Sequence, residues 1–284
     1  MKIFHHNDID GHAAAALIYN VLDTDKQAEF IECNYSFPLM PVIETIQSGE
    51  KIFIVDYSFT PDTCHELHSI IKNAGTANVT WIDHHKSSME LQKMYPELTT
   101  IAGIRQTDIS GAALTAMFIH SLTYSEIPEI LKYISDYDCW IKSMPDTDAI
   151  YYGILSKDWK YTSDLWKEVL TENYDLTNLK LQGEAVLSYL HRDNLMNRNK
   201  WAFETRLADY PCLAINRKVT SEIFGKDLTQ YPIYCVFQFD GEKWRYSIYS
   251  RTVDCSLIAA EFGGGGHQGA AGFHLPYCLF DKSA

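Results

Sequence analysis

The stretch His6-Asn7-Asp8-Ile9-Asp10-Gly11 decides the fold of this chain, because it places metal-binding side chains where a strand gives way to a helix. It follows the apolar, β-prone segment Met1–His5 and precedes an alanine-rich run from Ala13, which is a strong helix former. The histidine and the two aspartates point the same way if the stretch is extended. Side chains of these types crowded together favour a divalent cation between them. We therefore predict a strand, a tight loop able to hold one or two metal ions, and a helix.

The first third of the chain alternates apolar, β-rich runs with helical runs, which is typical of a parallel sheet covered on both faces. The predicted strands are Met1–His5, Ala28–Cys33, Lys51–Asp56 and Asn78–Asp83. The predicted helices run from Gly11 to about Asp23 and from Pro61, in the first helical turn, to about Ala74, with Gly75 just beyond the end.

Candidate metal ligands follow three of these four strands. They are His6 with Asp8 and Asp10, then Asp56, then the triplet Asp83-His84-His85. Ligands in an open parallel sheet gather beyond the carboxyl ends of its strands, so we expect all of them at one edge. Scattered carboxylates have no reason to fall repeatedly at that end, and this convergence is stronger than any single motif.

Two further acids come at the end of a later helix. One helix is predicted to begin near Ser110-Gly111, with Asp108 or Ser110 as its N-cap. The next is predicted over about Glu126 to Ile134 and leads into Asp136 and Asp138. Acids at a helix C-terminus oppose the helix dipole, which favours a cation nearby, although solvated acids are the plainer interpretation.

Composition narrows the class of protein. The chain has 284 residues, and 24 lysines and arginines against 37 aspartates and glutamates give a net charge of −13. Such a surface repels a long duplex, since non-specific affinity for nucleic acid comes from basic side chains. The 7 cysteines include no C-x-x-C pair, which is typical of a reduced, cytoplasmic protein. No apolar run is long enough to cross a membrane, so we expect no membrane association.

Three regions are predicted: a metal-binding domain at 1–145, a helical linker at 146–205 and a smaller α/β domain at 206–284. The helices of 146–205 could instead pack on the first sheet. The last region should contain strands at Pro211–Ile215, Tyr231–Phe239 and Trp244–Ser250 and a helix at Cys255–Glu261. The glycine-rich run Gly263–Gly272 is a candidate phosphate cradle, because small residues let backbone amides approach an anion.

The motifs described above, in this order, resemble the DHH phosphoesterase family, in the subgroup that carries a DHHA1 domain. The likeness spans nearly the whole chain and rests on the His6 to Gly11 stretch, Asp56, the Asp83 triplet, the Asp136 to Trp140 stretch and the terminal glycine-histidine run. It implies an α/β fold in which an N-terminal parallel-sheet DHH domain is joined by a helical linker to a smaller α/β DHHA1 domain.

The resemblance also implies two divalent metal ions, with manganese expected and magnesium or cobalt as alternatives. The implied ligands are His6, Asp8 and Asp56 for one ion, and Asp10, Asp56, His84 and Asp138 for the other. Asp56 would then bridge the pair. Asp136 replaces Asp138 if the register of the fourth motif shifts by two residues, and Asp138 is the preferred assignment.

The implied reaction is hydrolysis of a phosphoester by a water that two metal ions activate. Catalytic roles fall to His85, near the scissile phosphate, and to Asp83, which would orient a histidine. The substrate-binding residues would be Arg251, Gly265, Gly266 and His267, with Arg251 gripping a phosphate.

Family members with this compact layout resemble enzymes that cleave short oligonucleotides, dinucleotides or 3′-phosphoadenosine 5′-phosphate. We therefore expect release of mononucleotides. Three alternatives stay open: a RecJ-like single-strand exonuclease, a cyclic-dinucleotide phosphodiesterase and a non-catalytic nucleotide-binding module. The oligomeric state is also open, and a homodimer is one of its candidates.

Overall fold

A computed structural model describes residues 1–21, 28–35, 37–171, 174–219, 221–225 and 228–280. The chain forms two compact units, Met1–Glu184 and Ala185–Ala284. The helices are α1 (Ile9–Val21), α2 (Met40–Ile43), α3 (Cys64–Ala74), α4 (Lys86–Met94), α5 (Gly111–His120), α6 (Glu129–Asp138), α7 (Thr147–Leu155), α8 (Asp164–Val169), α9 (Thr177–Trp201) and α10 (Cys255–Glu261). The strands are β1 (Lys2–His6), β2 (Glu29–Cys33), β3 (Ile52–Val55), β4 (Val79–Ile82), β5 (Phe203–Leu207), β6 (Tyr210–Asn216), β7 (Ile233–Phe239), β8 (Trp244–Tyr249), β9 (Gly265–Gly266) and β10 (Ala270–Leu275).

A parallel sheet in the order β2-β1-β3-β4 forms the centre of the first unit. All four predicted strands are present, with ends that differ by one residue. The segment after them adds to the β4 edge, since the Trp81 N–H donates to the Ala102 carbonyl at 2.8 Å and the Asp83 N–H to Ile104 at 3.1 Å. The predicted end of the first helix at Asp23 lies outside the described residues.

Both faces of this sheet are covered, as the pattern predicts. One face packs on α1 and α5, and α1 is buried from Ile9 through Ile18 because its alanine-rich sequence is apolar on every side. The other face carries the buried side chains of α3 and α4, which join Phe4 and Trp81 in a second cluster. Helices on both faces leave the carboxyl ends of the strands as the place for a site.

Several predicted helix boundaries in this unit are wrong, including the starts of α1, at Ile9 instead of Gly11, and of α6, at Glu129 instead of about Glu126. Pro61 precedes α3 rather than starting it, because the N–H of Thr60 bonds to the hydroxyl of Thr63 at 2.9 Å in a turn that delays the helix to Cys64. Helix α6 continues through Asp138 instead of ending at Ile134. The predicted C-terminal glycine is confirmed, since Gly75 takes φ +87° after the last turn of α3.

Part of the segment 146–205, predicted as a linker, packs on the first sheet. Helices α7 and α8 bury Ile150, Ile154 and Trp166 in the same cluster as Ile3 and Val55, so the alternative of helices packed on the sheet describes this part. Helices α7 and α9 approach closely, because a Cβ on Gly183 would overlap the carbonyl of Ala149. The apolar faces of these helices need a partner, and the sheet layer supplies it.

The second unit is built on a mixed sheet in the order β5-β6-β7-β8-β10-β9, in which β6 and β7 pair in parallel. Helix α10 packs on it through Ile258 and Ala259. The sequence pattern predicted β6, β7, β8 and α10 but not β5, β9 and β10. Strand β10 falls partly in the run taken for a glycine loop, and its Ala-Ala-Gly start carries little strand signal.

The predicted α/β fold class is confirmed by this pair of sheets with their helices. Among the residues that the structure describes, no helix combines the length and the hydrophobicity that crossing a bilayer demands.

We expect Trp166→Ala to destabilise the first unit by about 3–5 kcal/mol, because it removes a fully buried indole from the cluster shared with the sheet. Urea unfolding followed by circular dichroism measures the change. Trp201→Ala is the matched control, since that side chain is 54% exposed. Equal losses in the two variants would contradict the assignment of α8 to the core of this unit.

Candidate metal centre

Carboxylate and imidazole side chains meet at the carboxyl end of the first sheet. His6 ends β1, Asp10 lies in the first turn of α1, and Asp56 directly follows β3. His84 lies just past the end of β4. The parallel direction of the three strands thus brings together residues that are up to 78 positions apart in sequence.

Two overlapping sets of side chains are close enough to hold metal ions. His6, Asp8 and Asp56 form one set, and Asp10, Asp56 and His84 form the other. Within each set the ligand atoms all lie within 4.8 Å of one another. Asp56 belongs to both, which is the bridging position that the family resemblance implies.

Asp56 is the most constrained member of these sets. Its backbone takes φ +54°, rare for a side chain other than glycine, and its N–H bonds to the Ile82 carbonyl at 2.9 Å. Its carboxylate is buried, and neither oxygen accepts a hydrogen bond from any described residue. Burial and the nearby charges of Asp10 and Asp8 raise the pKa of Asp56 well above its usual range. A buried carboxylate that accepts no hydrogen bond, with Nε2 of His84 at 3.1 Å from its Oδ1, fits a bound divalent cation.

Asp10 connects this centre to the start of α5. Its carboxylate accepts the N–H groups of Gly111 at 2.6 Å and Ala112 at 3.0 Å, so it lies at the positive end of that helix. The helix comes this close because position 111 is glycine: a Cβ there would lie 2.5 Å from Cβ of Asp56. The glycine therefore sets how near α5 packs to the two aspartates.

His6 and Asp8 form a pair, with Nδ1 of His6 2.7 Å from Oδ2 of Asp8. Asp8 also accepts the N–H of Gly11 at 2.9 Å. Burial lowers the pKa of His6, but the charge and hydrogen bond of Asp8 outweigh it and raise the pKa to about 9. Burial by itself raises the pKa of Asp8, but the charge and the hydrogen bond of His6 outweigh it and lower the pKa of Asp8 below its usual range. A metal ion at this set would have to displace the proton on His6.

The two aspartates of α6 lie in different surroundings. Asp138 Oδ2 lies 3.2 Å from Nε2 of His84, and burial with the charges of Asp10 and Asp8 raises the pKa of Asp138 well above its usual range. Asp136 instead accepts the N–H groups of Ser143 at 2.9 Å and Met144 at 3.0 Å. The geometry therefore favours Asp138 as the ligand of the fourth motif and gives Asp136 the role of fixing the loop after α6.

Asp83 holds the histidines that follow it. Its Oδ1 accepts the His84 N–H at 2.9 Å and lies 2.8 Å from Nδ1 of His85, and its Oδ2 accepts the hydroxyl of Ser88. Burial raises the pKa of Asp83, but the attraction of His85 and these hydrogen bonds outweigh it and lower the pKa. Asp83, Asp56 and His85 also lie within the 4.8 Å separation. Because both oxygens of Asp83 already accept hydrogen bonds, its geometry agrees with the predicted orienting role.

Several residues around the centre escaped the sequence interpretation. Sγ of Cys139 lies 3.7 Å from Nδ1 of His84, and the ring of Tyr35 lies 5.5 Å from the ring of His6. Burial and the charge of Asp8 raise the pKa of Tyr151 well above its usual range. Tyr35 and Cys139 each lie within two residues of a strand end or a ligand, which is a usable signal. Tyr151 lies inside α7 and has none.

Of the residues predicted to bind substrate, Arg251 and His267 lie at one end of the second unit. Arg251 is exposed and lies just after β8. His267 begins a tight turn, and its backbone N–H donates to the Ala270 carbonyl at 2.7 Å. The N–H of Ser250 bonds to Gly269 at 3.1 Å, which holds the two segments together. These contacts bring the two segments side by side, and the substrate-binding role of Arg251 and His267 stays a prediction.

The predicted phosphate cradle lies partly in regular structure, and its role in binding an anion stays a prediction. Gly265 and Gly266 form β9 and pair with β10. The neighbouring N–H groups of Gly263, Gly264 and His267 all donate to backbone carbonyls. Glycine is required for packing instead, because a Cβ on Gly264 would overlap the Gly272 carbonyl, and Gly266 takes φ +142°.

Comparison with known proteins supports the fold. No protein-family model matches the chain. It is 23% identical to the uncharacterized protein R106 of Acanthamoeba polyphaga mimivirus over 308 residues, covering 95% of this chain and 66% of that protein. The chain thus spans slightly less than two thirds of the length of this relative.

Two solved structures share the architecture. One is a DHH domain described as a member of the s1p family of ribosomal proteins, with a TM-score of 0.55 at 12% identity, covering 96% of this chain and 82% of that one. The other is an exopolyphosphatase-related protein from Bacteroides fragilis, with a TM-score of 0.51 at 14% identity, covering 98% and 87%. The chain has the fold of the DHH phosphoesterases, as its motifs predicted.

We expect Asp56→Asn to lose metal and to stabilise the metal-free protein. Because the folded-state pKa of Asp56 is raised, ionising it at neutral pH costs stability that a bound cation offsets. Metal content by mass spectrometry should fall from about two ions per chain to below about one, and the melting temperature without metal should rise. Asp62→Asn, an exposed aspartate of the same unit, is the control and should change neither. Full metal content in Asp56→Asn would refute the bridging role.

Asp138→Asn and Asp136→Asn should have opposite effects. The first should weaken manganese binding at least about tenfold with little loss of stability, because Asp138 faces His84 and the other acids. The second should cost about 1–3 kcal/mol at pH 7, because it leaves the amides of Ser143 and Met144 poorly paired. The reverse pattern in titration calorimetry and urea unfolding would make Asp136 the ligand.

The cost of Asp136→Asn should also depend on pH. Burial by itself raises the folded-state pKa of Asp136, but the hydrogen bonds from Thr147 and Ser143 outweigh it and lower that pKa. An aspartate with a lowered folded-state pKa stabilises the protein at pH values above its unfolded-state pKa of about 4. This stabilisation is lost as the pH falls through the folded-state pKa. The difference in unfolding free energy between wild type and variant should therefore shrink below about pH 4. A constant difference from pH 7 to pH 3 would contradict this origin.

Proposed function

We propose that this protein is a divalent-metal-dependent phosphoesterase that hydrolyses short oligonucleotides or dinucleotides to mononucleotides, with 3′-phosphoadenosine 5′-phosphate as a further substrate. The observation that carries the proposal is the position of Asp56 between two ligand sets: neither of its buried oxygens accepts a hydrogen bond from a described residue, and Nε2 of His84 lies 3.1 Å from its Oδ1. A centre of this kind suits two cations that share one carboxylate.

The residues present fit such a pair of ions. His6, Asp8 and Asp56 would hold one, and Asp10, Asp56, His84 and Asp138 the other. Bound there, the ions would lower the pKa of a water and neutralise charge on the phosphoryl oxygens. Manganese is the expected metal, with magnesium or cobalt as alternatives, because imidazole and carboxylate together accept several divalent cations.

The protein's own side chains are proposed to position the substrate and to exchange protons with its phosphate. Asp83 fixes the ring of His85 through Nδ1, and the side chain of His85 is 15% exposed beside Asp56. A histidine oriented in this way can donate a hydrogen bond or a proton to a phosphate oxygen. Arg251 and His267 of the second unit are proposed to bind a second phosphate or the far end of the substrate.

The small size of the proposed substrate follows from charge. A net charge of −13 opposes the approach of a long polyanion, whereas a substrate with two or three phosphates needs only local cations. The Bacteroides fragilis neighbour is described as exopolyphosphatase-related, so short-chain inorganic polyphosphate is a second candidate substrate.

The test is manganese-dependent release of mononucleotides from labelled RNAs of two to five nucleotides. A long single strand, 3′-phosphoadenosine 5′-phosphate, a cyclic dinucleotide and polyphosphate run beside them. We expect the rate to fall steeply with length and to drop more than about a hundredfold in Asp56→Asn. Faster cleavage of the long strand would favour an exonuclease of the RecJ type. Absence of turnover on every substrate would contradict the proposal and favour a binding module.

A further inference from the structure

Beside the candidate metal centre lies an aromatic side chain that the proposed chemistry does not use. Tyr35 follows the end of β2 by two residues, and its ring centroid lies 5.5 Å from that of His6 and 6.4 Å from that of His85. The residue is 54% exposed, whereas the nearby Tyr57 is 4% exposed. A large, partly exposed aromatic ring next to two half-buried histidines is available to a ligand.

The ring of Tyr35 is held in place from behind. It stacks on Tyr57 with centroids 5.5 Å apart and planes at 20°. Tyr57 contacts Phe59 edge to face at 5.4 Å, and Phe59 contacts Trp81 in the buried cluster of the sheet at 6.0 Å. This aromatic column, Tyr35 to Trp81, runs from the core of the first unit to its surface. The N–H of Phe37 also bonds to the Asn34 carbonyl at 2.9 Å, which restrains the backbone that carries Tyr35.

We propose that the exposed ring of Tyr35 stacks on the nucleobase of the nucleotide whose phosphate is cleaved, and that it makes the site selective for nucleotides over inorganic phosphates. This rests on the proposed function. A base on Tyr35 is one sugar away from a phosphate at the centre, because the ring lies directly beside His6 and His85. Base–aromatic stacking accepts every base, since each has a π-face, so the selectivity is for a base and not for its identity.

Tyr35 differs from an ordinary exposed aromatic in its position beside the candidate metal centre. Tyr19 is 41% exposed in the same unit and also contacts other rings, but it lies in the last turns of α1, away from Asp8 and Asp10 at the start. Its contacts with Phe30 and Tyr161 are explained by packing alone. Tyr19→Ala is therefore the matched control.

The kinetic test compares a 5′-phosphorylated diadenylate with the same compound lacking the base next to the scissile phosphate. We expect Tyr35→Ala to raise KM for the intact compound about tenfold with little change in kcat, and to leave the abasic compound unaffected. Tyr35→Phe keeps the ring and should resemble the wild type, as should Tyr19→Ala. Equal losses on both compounds, or a Tyr35→Phe variant as poor as Tyr35→Ala, would assign Tyr35 a structural role and overturn the proposal.

A binding test separates this inference from the proposed activity. Stacking quenches the fluorescence of 2-aminopurine riboside 5′-monophosphate, which can be titrated into the full-length protein with manganese present. We expect quenching in the wild type, Tyr35→Phe and Tyr19→Ala, and its loss in Tyr35→Ala. If no substrate is cleaved but this pattern holds, the phosphoesterase proposal fails and the stacking site stands. Quenching that is absent, or that persists in Tyr35→Ala, overturns the stacking site.

Discussion

Burial of the Asp56 carboxylate is the constraint on which the rest of the first unit depends. The strand before it is buried on both faces, so the residue after it reaches the sheet edge with little solvent around it. Its neighbours there include Asp10 and Asp8, whose charges add to the cost of ionising it. Charges of one sign held this close in a low dielectric repel strongly. The arrangement is therefore stable at neutral pH only with positive charge among the acids.

Part of that positive charge comes from the fold itself. The start of α5 presents two N–H groups to Asp10, and the dipole of the helix adds to their effect. His6 carries a raised pKa beside Asp8 and supplies charge in the absence of metal. These contacts account for Asp8 and Asp10, whereas Asp56 accepts no hydrogen bond from a described residue and has only Nε2 of His84 within 3.1 Å of its Oδ1 among the ion pairs of the described residues. The helix and the histidine thus hold the outer acids, and the shared centre is left for cations.

The sequence predicted the centre better than it predicted the elements around it. The ligands follow strand ends, and a parallel sheet brings strand ends together whatever the exact bounds, so errors of one residue did not matter. The start of α3 was misplaced because hydrogen bonds between Thr60 and Thr63 prolong the turn. The sequence could not show whether the glycine run binds an anion, because close packing and an anion site both select glycine. Tyr151 could not be assigned because its position depends on packing between elements far apart in sequence.

The acids of this centre divide by whether the fold already supplies donors to their oxygens. Asp83 and Asp136 accept hydrogen bonds on both oxygens and have lowered pKa values, so their charge is used to hold loops and histidine rings. Asp56 and Asp138 have raised pKa values because burial and the charges of neighbouring acids disfavour their ionised forms. Asp136 and Asp138 are two positions apart on one helix, hence on different sides of it, which lets one stabilise the fold while the other faces the centre. Sequence spacing alone could not separate these roles, since both residues are aspartates in the same helical turn.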